Sequence, residues 1–240
     1  MDTKCAILQS NYIPWRGYFD IINDVDLFVF YDEVQFTVRD WRHRNIIYTT
    51  SGLKWISLPC GSDLTRRVDE VKIAADMNWQ EQHYRKICDA YKKAPYFSKY
   101  KSFLEHVYLE RKWEYLSEFN QFLIKHIAQD FLKAKADFVN SCEYNSEGRR
   151  NEKLLSLMLS IGYKNYLCGP AAKAYLDEEA FLDNGINILW KDYSGYPDYP
   201  QTQQPFEGRV SIIDLLVNTG EDAPYYIWGW RDEAKKADIL

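Results

Sequence analysis

Hydrophobic positions fall first into short runs separated by turns, then into a long stretch of helical spacing, then into short runs again. "CAILQ" reads as a buried opening strand and "DLFVFYD" as a second one. Between them the amphipathic "YFDIIND" predicts a short helix that buries Phe19, Ile21 and Ile22. A strand, a loop, a helix and a strand in close succession form a βαβ unit, which favours a parallel sheet. "VQFTV", "RNIIYTT" and "KWISLPC" then carry β-branched and aromatic residues, and "SGL" between the last two predicts a hairpin. The strands are therefore expected to be mixed in direction, not purely parallel.

From Asn78 to about Ala136 the period lengthens. In "NWQEQHYRKICDAYKKA", Trp79, His83, Ile87 and Tyr91 recur at helical spacing, and Pro95 stops the run. "FSKYKSFLEHVYLE" and "EYLSEFNQFLIKHIAQDFLKA" continue as two further amphipathic helices. The last third alternates again: "DFVNSC", "KNYLCG" and "INILWKDY" read as strands, "RRNEKLLSLMLSIG" and "DEEAFLDNG" as helices closed by Gly162 and Gly185. "SIIDLLVNTG" predicts a short apolar helix capped by Ser211. The fold class expected is α/β, a mixed, mainly parallel sheet with flanking helices. With no linker in view, residues 1–240 are expected to form a single domain with a helical insert at about 78–136.

Aromatic content changes this picture most. The chain has 19 Tyr, 12 Phe and 8 Trp, an excess that suits either a pocket stacking on flat or sugar-like ligands or a tyrosine-rich core. A net charge of −5 gives the whole protein no electrostatic footprint for nucleic acid. No signal peptide and no run long enough to span a membrane can be read, so no membrane insertion and a cytoplasmic location are expected. Five widely spaced cysteines with no CxxC predict reduced thiols and no metal site.

Two stretches concentrate candidate chemistry. "QSNYIPWRGYF" (9–19) sits at the carboxyl end of the first strand, where open α/β sheets bind ligands. Gly17 would open the helix beside Arg16 and bring backbone N–H groups to an anion, with Tyr12 and Trp15 as stacking residues and Gln9 as a further contact. The plainer reading is a packed turn built by Pro14, Trp15 and Tyr18. In "DEVQFTVRDWRHRNII", Asp32 and Glu33 end an apolar strand, Gln35 follows, and Arg42, His43, Arg44 and Asn45 stand together. An acid, a histidine and two arginines suit a phosphate-bearing substrate and a general base, with Asp32 and His43 as the catalytic candidates. The same run also reads as a solvated strand face. His83, His106 and His126 lie in helical periodicity and read as structural, and Cys60 lacks a local histidine. "DYSGYPDYPQTQQPF" is a long loop of binding-loop composition that offers Tyr199 and Gln201.

Taken in order, "QSNYIPWRGYF", "DLFVFYDEVQF", "WRHRNII", "YKKAPYF", "GINILWKDY", "YPQTQQPF" and "SIIDLLVNTG" resemble the WbqC-like family of bacterial polysaccharide and O-antigen gene clusters, over nearly the whole chain. Two positions depart from its usual pattern: His43 stands where Asn is usual, and Gly195 where His commonly precedes "PxYPQ". The resemblance implies transfer of glycine or another acyl group to a nucleotide-linked amino sugar. It also implies an acyl donor such as an acyl carrier protein or coenzyme A thioester. Its pyrophosphate would then seek Arg42, Arg44 or the helix start at Gly17, while Asn45 or backbone N–H groups would meet the oxyanion. The opening loop is also similar to that of ATP-binding nucleotidyltransferase-like folds, although Tyr18 stands where a His commonly follows the glycine. That similarity implies an ATP-dependent adenylating enzyme as the alternative, and a non-catalytic sugar-nucleotide binding module is the third reading.

Overall fold

The computed structural model describes residues 3–232. Lys4–Leu8 (β1), Arg16–Asn23 (α1) and Leu27–Phe30 (β2) form the expected βαβ unit, with β1 and β2 paired in parallel from Cys5↔Leu27 to Leu8↔Phe30. The hairpin is Arg44–Thr49 (β3) and Gly52–Ser57 (β4), and it stands as a separate antiparallel pair. Mixed strand direction thus divides between two sheets, the larger one wholly parallel. "VQFTV" forms no strand. Only Gln35 makes a single bridge, to Arg67, because Asp40 turns the chain by accepting from the Trp41 N–H and the Thr37 hydroxyl.

The insert comprises Trp79–Tyr91 (α2), Phe97–Glu105 (α3) and Leu116–His126 (α4), and the last two run on into wider turns at His106–Glu110 and Ile127–Phe131. Asp137–Asn140 (β5), Asn151–Ile161 (α5), Asn165–Cys168 (β6), Glu178–Asp183 (α6), Asn187–Trp190 (β7) and Ile212–Thr219 (α7) complete the chain. Gly162 and Gly185 adopt the left-handed conformation that their helix ends require, and the Ser211 side chain accepts from the Ile213 N–H at the start of α7. No helix of the described residues is long and apolar enough to cross a membrane.

The parallel strands lie in the order β5-β2-β1-β6-β7. The chain moves outward from β1 through β2 to β5 and then returns to β6 on the other side of β1. This reversal makes the carboxyl ends of β1 and β6 the topological switch point, where ligands bind in such sheets. Period-two alternation divides the strands' side chains between two cores. Ala6, Phe28 and Phe30 pack with α1, the insert and α7, whereas Cys5, Ile7, Leu27, Val29 and Tyr31 pack with α5 and α6.

The segment between β1 and α1 is buried: Ser10, Tyr12 and Ile13 have no solvent exposure. Its backbone must therefore be satisfied from within the protein. The Ser10 N–H donates to Asp32 Oδ1 at 2.7 Å, and the Tyr12 N–H to the Trp41 carbonyl at 3.0 Å. Asn45 Nδ2 donates to the carbonyls of Tyr12 (3.0 Å) and Ile13 (2.9 Å), and the Ile212 N–H reaches the Pro14 carbonyl at 2.9 Å. Ile13 has a φ of 37°, a strained value for a β-branched residue that only over-determined surroundings maintain.

Tyr12 also begins a buried chain into the insert. The Ser57 carbonyl can only accept, so His83 carries its proton on Nε2 (3.2 Å) and accepts on Nδ1 from the Tyr12 hydroxyl (2.8 Å). Tyr12 in turn accepts from the Tyr108 hydroxyl at 2.7 Å. Burial pushes the His83 imidazole down to about 4, with the charge of Lys86 adding to it.

Two outcomes follow. Asn45→Ala leaves two buried carbonyls without a donor and should lower stability by about 3 kcal/mol in urea titration, with the slope of the transition unchanged. His83 stays neutral when folded and takes up a proton when unfolded between pH 6.5 and about 4. Its contribution is complete above pH 6.5 and is lost as pH falls through that window, about 3 kcal/mol in all; His83→Gln should flatten this part of the stability profile.

Candidate functional site

At the switch point a cleft of about 960 Å³ opens above the carboxyl ends of β1, β2 and β6. Gln9 and Tyr31 come from the ends of β1 and β2, Glu33 and Gln35 from the loop that follows, and Cys168 and Gly169 from the end of β6. Its far wall is the start of α5, with Gly148, Arg149, Arg150, Asn151 and Lys153. Glu33 reaches this cleft by the alternation that turns Val29 and Tyr31 toward α5.

Three cations and one carboxylate gather here on a protein of net negative charge. Lys153 Nζ lies 3.3 Å from Glu33 Oε2 and 5.7 Å from the centre of the Tyr31 ring. The other oxygen, Oε1, is buried with no hydrogen-bond partner among the described residues. Asn151 gives its amide N–H to the Tyr175 carbonyl, which fixes its orientation and leaves its Oδ1 buried and unpartnered as well. No side chain caps α5 at Arg150, which sits at a φ of 52°. Cations at a helix N-terminus oppose the macrodipole, so Arg149 and Arg150 are poorly placed for stability and well placed for a bound anion. Burial pushes the Cys168 thiol up to about 12, too high for a nucleophile.

Of the residues singled out by sequence, Gln9 and Gln35 line this cleft. Gln35 also donates to the Leu64 carbonyl at 2.9 Å. Asp32 turns the opposite way from Glu33, toward α4, where it is buried and accepts from the Ser10 N–H, the Ser117 hydroxyl and the Gln121 amide. Tyr12 and Asn45 are buried in the bonds described above.

Helix α1 begins at Arg16, and the Trp15 ring lies over Gly17 so closely that an added Cβ would fall 2.3 Å from it. That start is covered by its own aromatic residue. Arg16 is itself buried, donates to the carbonyls of Pro197 (2.8 Å) and Tyr226 (3.2 Å), and stacks on Tyr196. Burial lowers its pKa, although nothing here deprotonates an arginine.

The basic run divides as well. Arg42 and His43 lie in the turn before β3, not on a strand, because the Asp40 turn precedes them. Arg42 pairs with Asp40, and His43 Nε2 accepts from the Arg39 N–H at 3.0 Å while its ring rests against Phe36. Burial lowers the His43 pKa. Arg44 donates to the Arg39 carbonyl and lies 4.1 Å over the Trp55 ring. Tyr199 and Gln201 both donate to buried Asp214 of α7 at 2.7 Å, knotting the long loop to the core. Cys60 is held up to about 12 by burial.

Of Gln9, Tyr12, Asp32, Arg44 and Gln201, only Gln9 lines this cleft. Glu33, Arg149, Arg150, Asn151 and Lys153 were left out of the candidate site. One signal marked the helix start among them: "GRRN" opens a helix with two cations where acids are preferred.

Comparison with known proteins bears on the whole of this framework. The model of the WbqC-like protein family matches residues 9–226. An uncharacterized protein of Mycobacterium tuberculosis is 40% identical over 226 residues, covering 93% of this chain and 97% of its own length. No solved structure matches. The match runs from the buried loop through the cleft to the Asp214 knot, and the chain belongs to the WbqC-like protein family.

Proposed function

We propose that the protein is a group-transfer enzyme that binds a phosphate-bearing amino sugar in the switch-point cleft and passes an acyl or aminoacyl group to its amine. One observation carries the reading: two buried acceptors without partners, Glu33 Oε1 and Asn151 Oδ1, stand in the same cleft as Arg149 and Arg150. Orphaned acceptors call for a ligand with N–H or O–H donors, and paired arginines for one with phosphate oxygens. A nucleotide-linked amino sugar supplies both.

In this scheme Arg149 and Arg150 hold the phosphate at the start of α5, and Asn151 orients a sugar hydroxyl. Glu33 takes the proton from the amine as its nitrogen attacks the acyl carbonyl carbon, and Lys153 steadies the carboxylate and faces the developing oxyanion; collapse of the tetrahedral intermediate then breaks the bond from the carbonyl carbon to the donor's leaving group, a thiol or a phosphate, which departs with the proton held by Glu33. Asp32 and His43 have no part in it. The strand order favours a second reading, since it is the order of the nucleotide-binding open sheets: ATP in the same cleft, activating a small acid before transfer.

Mass spectrometry of a nucleotide-linked amino sugar, incubated with the protein and either a coenzyme A thioester, an acyl carrier protein thioester or an amino acid with ATP, should show the mass gain of one acyl group. No gain with any of these donors would overturn the transferase. Pyrophosphate exchange dependent on a small acid would point to the adenylating reading, and tight binding without turnover to a binding module. If transfer occurs, Glu33→Gln should lower kcat by about a hundredfold with KM little changed. Arg149→Glu combined with Arg150→Glu should instead weaken sugar-nucleotide binding by tenfold or more in calorimetry.

A further inference from the structure

A second pocket, of about 490 Å³, opens on the other side of the segment that follows β1. Gln9 faces the cleft already described, whereas Asn11, Pro14 and Trp15 face this one. Its walls are apolar: Pro14 and Trp15 from the loop, Trp41 from the turn before β3, Ile46 from β3 and Leu53 from β4. Trp41 and Leu53 are 46% and 44% exposed, high values for large apolar side chains on one concave surface.

Of the polar groups around it, Asn45 and the Arg209–Glu207 pair are already engaged, and Asn11 remains as an uncharged contact. Asn45 is used up on Tyr12, Ile13 and the Ile46 N–H. The one cation of the rim, Arg209, is paired with the one anion, Glu207, at 3.2 Å, so the lining carries no net charge. Flat aromatic surface is partly taken as well, because the neighbouring Trp55 ring carries the Arg44 guanidinium and leans on Trp41 at a centroid distance of 5.3 Å. A concave lining of this volume without net charge, with Pro14, Ile46, Leu53 and two tryptophans as its apolar walls, suits a flexible apolar chain better than an anion.

We propose that this pocket binds the aliphatic chain of an uncharged acyl or alkyl compound, a ligand distinct from the one in the switch-point cleft. The inference stands whether or not the cleft transfers an acyl group.

Intrinsic tryptophan fluorescence reports on Trp15 and Trp41 in the lining and can be titrated with the straight-chain alcohols from butanol to decanol. Affinity should rise about fourfold with each added methylene and level off once the pocket is filled. Leu53→Asp, at an exposed position, should abolish the chain-length dependence while circular dichroism stays unchanged. Leu64→Asp, equally exposed but outside the pocket, should preserve it. Affinity independent of chain length, or a series unaffected by Leu53→Asp, would overturn the proposal. So would sedimentation showing a dimer that Leu53→Asp dissociates, which would make the pocket a contact between two copies.

Discussion

Burying a loop is what this structure must accommodate before anything else. Ser10, Tyr12 and Ile13 lie in the interior between β1 and α1, so their peptide groups must find partners within the protein. Each bond that replaces water comes from a different part of the chain: Asp32 beyond β2, Trp41 and Asn45 around β3, and Ile212 at the start of α7. Tyr12 adds the insert through His83 and Tyr108. Elements far apart in sequence are thereby tied to one segment; Gln9 just before it lines the switch-point cleft, and Asn11 and Pro14 within it line the second pocket.

The same constraint explains where the aromatic residues went. A tyrosine can fill a core only if its hydroxyl finds a partner. Tyr12 bonds to His83, Tyr18 to the Gln9 carbonyl, Tyr48 to the Pro205 carbonyl and Tyr199 to Asp214. Much of the unusual aromatic content is therefore interior packing with satisfied hydroxyls, while Trp41, Trp55, Tyr96 and Tyr175 stay exposed. Arg16 follows this logic with a full charge, since the carbonyls of Pro197 and Tyr226 and the Tyr196 face surround it. "QSNYIPWRGYF" and "DYSGYPDYPQTQQPF" meet through that arginine. What looked in sequence like two ligand-contacting loops is largely one fastening between them.

Legibility differed sharply between the fold and the site. Strands such as "CAILQ" and "DLFVFYD" and helices such as "NWQEQHYRKICDAYKKA" could be read because periodicity and terminal glycines are local properties. "VQFTV" misled because β-branched residues only permit a strand, and here the Asp40 turn removes the partner it would need. The site was harder to read. Asp32 and Glu33 are chemically alike and adjacent, yet one is an interior acceptor and the other lines the cleft, a choice made by the phase of β2 against its two faces.

By itself the sequence determined the α/β class, the run of helices between β4 and β5 and the family, because these rest on local pattern and on motifs kept in order. Tertiary structure alone decided which charged residues became functional candidates. Arg149, Arg150 and Lys153 stand more than a hundred residues from Glu33, and only the return of the chain across β1 to β6 brings α5 over the end of β2. Electrostatic and hydrogen-bonding chemistry acts over a few ångströms of space, and no local period in the chain records which distant residues the fold will place within that range.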